Sequence, residues 1–331
     1  DFNDYFDLPQ IGNFHIHTES DRGWRFRSNE IFYSKVVQWL KNSDKKWDFV
    51  ITRDPGCLPY LMKIRKHNGA KIFYQSHNFY LDTSLQPDMN RVNKRKYRIY
   101  ESKYIPKLDG LMALNEPHSE LYRKRVAIPV FTGYPGMKMI YVPKDNFDKK
   151  IVFYSGSFQL KKGIDTVIKA FAKLGNKNAR LILAGGRNED EIQPIRDMID
   201  SLNIADRVSI TGWLSYRTLE KLLGEATVGT LPLKDTFYNR YLTAPSKLFD
   251  YLAFAIPVIS SDLPSIRDIT GENECGIFVP PEDENALAEN IDKILNDRDL
   301  YKKYQRGSAE TGNNYLWKDC ARRMLNFMKS V

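Results

Sequence analysis

Pro245, Ser246, Lys247 and Asp250 open the stretch APSKLFDYLAFAIPVISSDLPSIRDI (244–269), and their types and spacing suit anion chemistry. A proline fits the first position of a helix, where its missing N–H costs nothing. The amides of Ser246 and Lys247 then fall in the first turn, where no intrahelical acceptor reaches them. Free amides at a helix start favour an anion, phosphate above all. Asp250 follows Ser246 by four residues and so lies on the same face, one turn further in. A carboxylate there can accept hydrogen bonds from vicinal hydroxyls. Phosphate first and sugar hydroxyls next is the layout of a ribose diphosphate. The same residues also allow a plainer role, in which Asp250 complements the helix dipole and YLAFAIPVIS is core.

A second candidate is YSGSFQLKKG (154–163), a Gly-Ser turn after an apolar run with two lysines before the next helical pattern. Gly156 permits close backbone approach, and Lys161 or Lys162 could neutralise a phosphate. It is not a Walker loop, because the glycine spacing and the Ser/Thr after the lysine are absent. A third feature is the basic run RVNKRKYRIY (91–100), with Arg91, Lys94, Arg95, Lys96 and Arg98. It is either a solvated helix face or a surface for an acidic acceptor or anionic lipid.

These groups need elements to hold them. Apolar runs alternate with amphipathic stretches along the chain, the pattern of a parallel sheet covered by helices. WDFVITR (47–53), AKIFYQSH (70–77) and LDGLMALN (108–115) read as short strands. After the Pro- and Lys-containing stretch at 141–150 the alternation restarts. KIVFYSGS, ARLILAGG, RVSITGWL, VGTLPL, PVISS and CGIFVPP read as strands. Between them, GIDTVIKAFAKL reads as a helix burying Ile164, Val167, Ile168 and Phe171. Two doubly wound domains are expected, 1–145 and 146–331, with the last helix crossing back to the first. Ligands of such sheets bind at the carboxyl ends of strands.

The 331 residues suffice for two cores. No apolar run reaches the roughly 18 residues of a membrane span, and no signal peptide is visible. The chain starts at Asp1 without a methionine, so residues before it are expected to be missing. Three widely spaced cysteines (Cys57, Cys275, Cys320) fit reduced thiols and a cytoplasmic setting, with no zinc spacing among them. A net charge of +9 suits nucleic acid, an anionic membrane or phosphorylated small molecules. No RRM, KH or zinc-knuckle motif accompanies it, so no nucleic-acid partner is expected.

The two lysine-bearing segments, in this order, bring a resemblance. From Lys150 onward the chain resembles the C-terminal domain of retaining GT-B glycosyltransferases of glycosyltransferase family 4. GSFQLKKGIDTVIKAFAKL, APSKLFDYLAFAIPVISSDLPSIRDI and CGIFVPPEDENALAENI carry the likeness. It implies a GT-B fold of two Rossmann-like domains facing across a cleft, and a nucleotide-diphospho-sugar donor, UDP or GDP. It implies transfer to a saccharide or lipid-linked acceptor with retained configuration, and no metal or other cofactor. Polysaccharide or cell-envelope synthesis at the cytoplasmic membrane face is the matching setting.

Carried over, Gly156, Ser157, Lys161, Lys162, Ser246 and Lys247 hold the diphosphate, Asp250 holds the ribose, and Trp213 lies by the base. WDFVITRD and KIFYQSHNF resemble the family's strand pair ending in a histidine that faces the transferred sugar, which makes His77 the catalytic-centre candidate. The chain departs from the pattern in four places. Ser157 replaces the diphosphate arginine, Leu242 the first glutamate of the family's pair, Asp250 the ribose glutamate, and Ala255 a helix-ending glycine.

Glu116 and His118, after the third strand, could meet acceptor or be loop residues. A different class is suggested by FHIHTESDRG (14–23), close to the opening of PHP-type metal phosphoesterases, with His15 and His17 placed to share a metal. Only five histidines exist, and His67, His77 and His118 lie outside the matching contexts. SDRGWRF (20–26) is the candidate acceptor loop. A nucleotide-sugar-binding pseudoenzyme and a sugar-nucleotide 2-epimerase are the remaining alternatives.

Overall fold

Strands β1 (Phe49–Thr52), β2 (Lys71–Gln75), β3 (Gly110–Ala113) and β4 (Val130–Thr132) lie side by side in chain order, all parallel. The computed structural model describes residues 17–19, 21, 28–43, 46–85, 90–271 and 274–331. Helices α1 (Asn29–Asn42), α2 (Leu58–Asn68), α3 (Arg91–Tyr104) and α4 (Glu116–Arg123) accompany this first sheet. Right-handed crossovers that always advance in one direction gather their helices on one face. Ile72, Tyr74, Leu111 and Ala113 point into that face, packing with Leu58, Leu61, Ile64 and Tyr122. Phe73 and Met112, one residue out of phase, point to the other face and need a separate cover.

The second sheet has β5 (Ile151–Ser155), β6 (Arg180–Ala184), β7 (Val208–Ile210), β8 (Val228–Leu231), β9 (Val258–Ser261) and β10 (Gly276–Val279). Its order is β10-β9-β8-β5-β6-β7, again parallel throughout. The chain builds outward from β5 to β7, then returns to lay β8 on the other side of β5. That reversal puts helices on both faces. Helices α5 (Ile164–Ala172), α6 (Glu189–Ser201) and α10 (Glu284–Asn296) bury one core. Helices α7 (Tyr216–Leu223), α8 (Ser246–Ala253) and α9 (Pro264–Thr270) bury the other. The expected stripe of α5, Ile164, Val167, Ile168 and Phe171, is wholly buried. At roughly 1.5–3 kcal/mol per large apolar side chain, that stripe alone anchors the helix.

Helices α11 (Arg298–Gly312) and α12 (Trp317–Ser330) close the chain. Helix α12 supplies the missing cover: Met324, Phe327 and Met328 pack on Phe73, Met112 and Phe131. Lys71 also donates to the carbonyl of Val331. Between the two domains, Asn115 Nδ2 donates to the carbonyl of Thr243 at 2.7 Å. The amide of Glu116 (2.8 Å) and the hydroxyl of Tyr134 (2.9 Å) both donate to Asp268.

The strands are shorter than the apolar runs that signalled them, since each run continues into the loop at the sheet edge. β4 lay outside the sequence reading. Pro245 is not the first helical residue: it caps α8 in an extended conformation, and the helix starts at Ser246. The helix thus starts one position later than expected, and the amides of Ser246 and Lys247 still fall in its first turn. Ala255 takes a left-handed φ of 52°, as a helix-ending glycine would.

Candidate active site

β5 and β8 part company where the strand order reverses, and a crevice opens past their carboxyl ends. Two glycines shape it. Gly156 follows β5 with φ 123°, and its amide donates to the carbonyl of Ala184 at 2.9 Å. Gly163, with φ 74°, ends the turn Leu160–Lys162, and a Cβ there would come within 1.7 Å of the Pro232 carbonyl oxygen. Only glycine lets this turn tuck against the end of β8. The crevice holds a cavity of about 330 Å³, whose lining includes Gly156, Trp213, Tyr216, Ser246, Lys247 and Asp250.

Lys247 is its most unusual group. The side chain is buried, and Nζ has no hydrogen-bond partner. It lies 3.6 Å from the centroid of the Tyr154 ring, the face of which attracts a cation. Burial, and then the charge of Lys162, drive its pKa well below the usual lysine value. An ammonium with no counter-ion costs several kcal/mol to bury. No side chain caps α8, and Ser246 and Lys247 of its first turn both line the same cavity. An anion entering here meets a cation and a helix start together.

One turn on, Asp250 is partly buried, and its pKa is raised to about 6 by burial, with Glu220 adding to the rise. The Tyr216 hydroxyl donates to it at 3.3 Å and opposes that shift. Trp213 stands 62% exposed at the mouth, with the Arg187 guanidinium 5.3 Å from its ring centroid. A broad aromatic face so exposed is available for stacking.

The other expected residues are not all gathered here. Ser157 and Lys162 are absent from the cavity lining. The Ser157 carbonyl accepts from Tyr154 at 3.0 Å, and Lys162 Nζ lies 5.8 Å from the Tyr238 ring centroid. The side chain of Lys161 lies outside the described residues. Leu242 is fully buried and packs into the core of the first domain, so it presents no polar group to the crevice.

His77 follows β2, and Arg53 follows the adjacent β1. The guanidinium donates to His77 Nδ1 at 3.1 Å, because arginine has no acceptor. Burial, then the Arg53 charge, lower the His77 pKa to about 4. The ring is thus neutral at neutral pH, with its proton on Nε2, a buried donor lacking a partner.

The basic run forms α3 as the helical reading required, but its cations do not share one surface. Lys96 turns to Glu30, bonding it at 2.8 Å. Arg91, Lys94 and Arg98 line a different space beside Asp82 and Ser84. The 3.6-residue repeat separates them. His118 is no acceptor ligand: it is fully buried and its Nε2 donates to the Asn78 carbonyl at 3.1 Å. Glu116 is bonded to Arg123 and Thr132. His17 bonds Glu19 at 2.9 Å and stacks on Trp39, while His15 and most of 20–26 lie outside the described residues. Among the described residues no group of three or more His, Cys, Asp or Glu could hold a metal.

Sequence reasoning missed Tyr154, Tyr216 and Arg53. Arg53 was the accessible one: it and His77 both lie just beyond neighbouring strand ends. The two tyrosines gave no signal, since aromatic residues flank strands and helices throughout the chain.

The fold defines a two-domain, GT-B α/β protein with a crevice, lined in part by Lys247 and Asp250, at the switch point of its second sheet. A family model described as Glycosyl transferases group 1 matches residues 141–311, and the chain belongs to that family. An uncharacterised glycosyltransferase of Methanocaldococcus jannaschii is 26% identical over 185 residues, 55% of this chain and 45% of the relative. The chain thus spans about half the length of that relative. The alpha-D-kanosaminyltransferase of Streptomyces kanamyceticus is 21% identical over 274 residues, 76% of this chain and 67% of that one. Among solved structures, sucrose-phosphate synthase from Thermosynechococcus elongatus superposes with a TM-score of 0.75 at 20% identity, covering 91% of this chain and 77% of that one. Anabaena HepE in complex with UDP gives 0.74 at 13% identity, covering 90% and 82%. No described helix is long and apolar enough to cross a membrane.

Proposed function

We propose that the protein is a retaining glycosyltransferase of family 4, transferring a hexosyl or related sugar from a nucleoside-diphosphate donor to a saccharide or lipid-linked acceptor. One observation carries this: the buried, unpartnered ammonium of Lys247 at the uncapped start of α8, with Asp250 one turn beyond. The complexes of HepE with UDP and with UDP-glucose support UDP as the nucleotide. In this reading residues 146–331 bind the sugar donor and 1–145 the acceptor.

The chemistry follows from charge. As the bond from the anomeric carbon to the diphosphate breaks, negative charge builds on the leaving oxygens. Lys247, the amides of Ser246 and Lys247, and Lys162, whose charge is felt at Lys247, stabilise that charge. Lys161 and the Gly156–Ser157 turn flank the same phosphates. Asp250 accepts from the ribose hydroxyls and Trp213 lies against the base. His77 offers its Nε2 proton to the transferred sugar. The departing phosphate oxygen takes the acceptor's proton on the same face, so no protein nucleophile is assigned.

Arg91, Lys94, Arg95 and Arg98 then belong to the acceptor side. Val92 and Ile99, exposed beside Arg95, favour contact with the cytoplasmic membrane face. Thermal shift across UDP, GDP, ADP and their sugars tests the reading, because a ligand that binds only the folded state raises Tm. A rise with at least one nucleoside diphosphate is expected. No rise with any of them refutes it.

A further inference from the structure

We propose that Glu101 is a positioning residue: a buried carboxylate that ties down the turn 76–80 and thereby sets where His77 meets the sugar. The inference rests on the glycosyltransferase reading in one respect, that His77 faces the transferred sugar. Glu101 lies in the last turn of α3 and is fully buried. Its Oε2 accepts the Tyr80 amide at 2.8 Å. Its Oε1 accepts the Tyr122 hydroxyl at 2.7 Å and the Tyr74 hydroxyl at 3.2 Å. The donors that hold it are neutral, none of them a lysine or arginine. Burying a carboxylate on neutral donors alone is costly, and an apolar side chain would fill the same core without that cost. What the carboxylate adds is a fixed grip on the turn.

The middle of the turn is gripped as well. The Asn78 carbonyl accepts from His118 Nε2 at 3.1 Å, from Tyr122 at 3.0 Å and from Ser76 Oγ. Ser76, His118 and Tyr122 are fully buried, and the Phe79 ring packs edge-on against Tyr122 with centroids 4.9 Å apart. Both chain neighbours of His77 therefore belong to one network, which leaves its ring little freedom. Tyr122 has a single proton and two acceptors, Glu101 and the Asn78 carbonyl. An ionised Glu101 takes that proton as the stronger acceptor. A neutral Glu101 carries a proton of its own for a tyrosine oxygen, and Tyr122 then turns its proton to Asn78. The charge of Glu101 is thus felt at the residue next to His77.

That charge changes near neutrality. Burial raises the Glu101 pKa to about 7, against the pull of Tyr122, the Tyr80 amide, Tyr74 and the Leu81 amide. Tyr74, Tyr80 and Tyr122 are pushed above the usual tyrosine value, and burial lowers His118 to about 4, so all four are neutral there. Arg125, over the Phe79 ring, is paired with Asp82.

The test reads His77 directly. Protein labelled with 15N at histidine gives ring signals, and His77→Gln assigns that of His77. At pH 8 this signal is expected to be displaced in Glu101→Gln and in Tyr122→Phe. It is expected to be unmoved in Asp109→Asn, which removes a carboxylate bonded to the Ile72 amide at the other end of the sheet. In the wild type the signal is expected to shift in one transition centred at about pH 7, well above the titration of His77 itself, and Glu101→Gln is expected to lose that transition. Should Glu101→Gln not fold, Tyr122→Phe and the wild-type series decide. A His77 signal unmoved in either variant, displaced as far in Asp109→Asn, or flat from pH 6 to 8 in the wild type overturns the proposal. None of these readings uses a substrate. UDP calorimetry on the wild type reports separately on the crevice, so failure of the glycosyltransferase reading is distinguishable from failure here.

Discussion

The ammonium of Lys247 lies 3.6 Å from the centre of the Tyr154 ring, buried and without a hydrogen-bond partner. A folded chain keeps such a group only where something offsets its desolvation. The ring face supplies roughly 1–2 kcal/mol of attraction, less than the several kcal/mol that burial of an ion costs. An anion beside Nζ would offset the remainder.

Proton exchange on binding follows directly. Burial and Lys162 depress the Lys247 pKa in the empty protein. A diphosphate beside it raises that pKa again, so binding takes up a proton wherever the empty site is partly deprotonated. At about pH 8 Asp250 is already ionised and contributes nothing. Calorimetry of UDP in Tris and in HEPES is expected to give different enthalpies, with net proton uptake. Identical enthalpies in both buffers between about pH 7 and 9 speak against a depressed lysine.

Asp250 gives a stability prediction with a definite sign. Its folded pKa is raised to about 6 from 3.8. A carboxyl shifted upward contributes its full stability below the unfolded value and loses it as pH rises through about 6. Asp250→Asn, which cannot ionise, is therefore expected to gain stability relative to wild type across that window, by an order of 1–3 kcal/mol. Urea midpoints at about pH 4 and pH 8 measure this, and an equal difference at both values refutes it. The same variant is expected to bind nucleotide more weakly. A wild type that binds ribose and 2′,3′-dideoxyribose nucleotides equally well would show that Asp250 is not the ribose ligand.

Asp268 accepts from the Glu116 amide and the Tyr134 hydroxyl, joining the domains. Asp268→Ala leaves both donors without this acceptor, at about 1–3 kcal/mol for each buried group so left. A lowered Tm with unchanged UDP affinity is expected, since Asp268 is not part of the cavity lining. A normal Tm would mean that water or a neighbour replaces the carboxylate.

Much of the second domain was legible because its signals are local. The α5 stripe, the uncapped start of α8 and Asp250 one turn on depend only on helical periodicity and first-turn chemistry. The left-handed position at Ala255 was also readable, from the glycine that usually stands there. What escaped depended on packing between distant segments. Nothing near Leu242 announced that it would fill the core of the first domain, nor that Tyr154 would lie under Lys247. The basic run illustrates a middle case. Its helix was clear, but a cluster counted along the chain was divided by the turn of the helix into Lys96 on Glu30 and Arg91, Lys94 and Arg98 on a cavity.

The most direct measurement is calorimetric titration of the preferred nucleoside diphosphate into wild type and Lys247→Met. Methionine keeps the stem and removes the charge, so folding is expected to be unharmed or improved. Affinity is expected to fall by about 1.5–3 kcal/mol, roughly 10- to 150-fold, the loss of a hydrogen bond to a charged group. Equal affinity in the two proteins would contradict the assignment of the crevice at α8 as the diphosphate site.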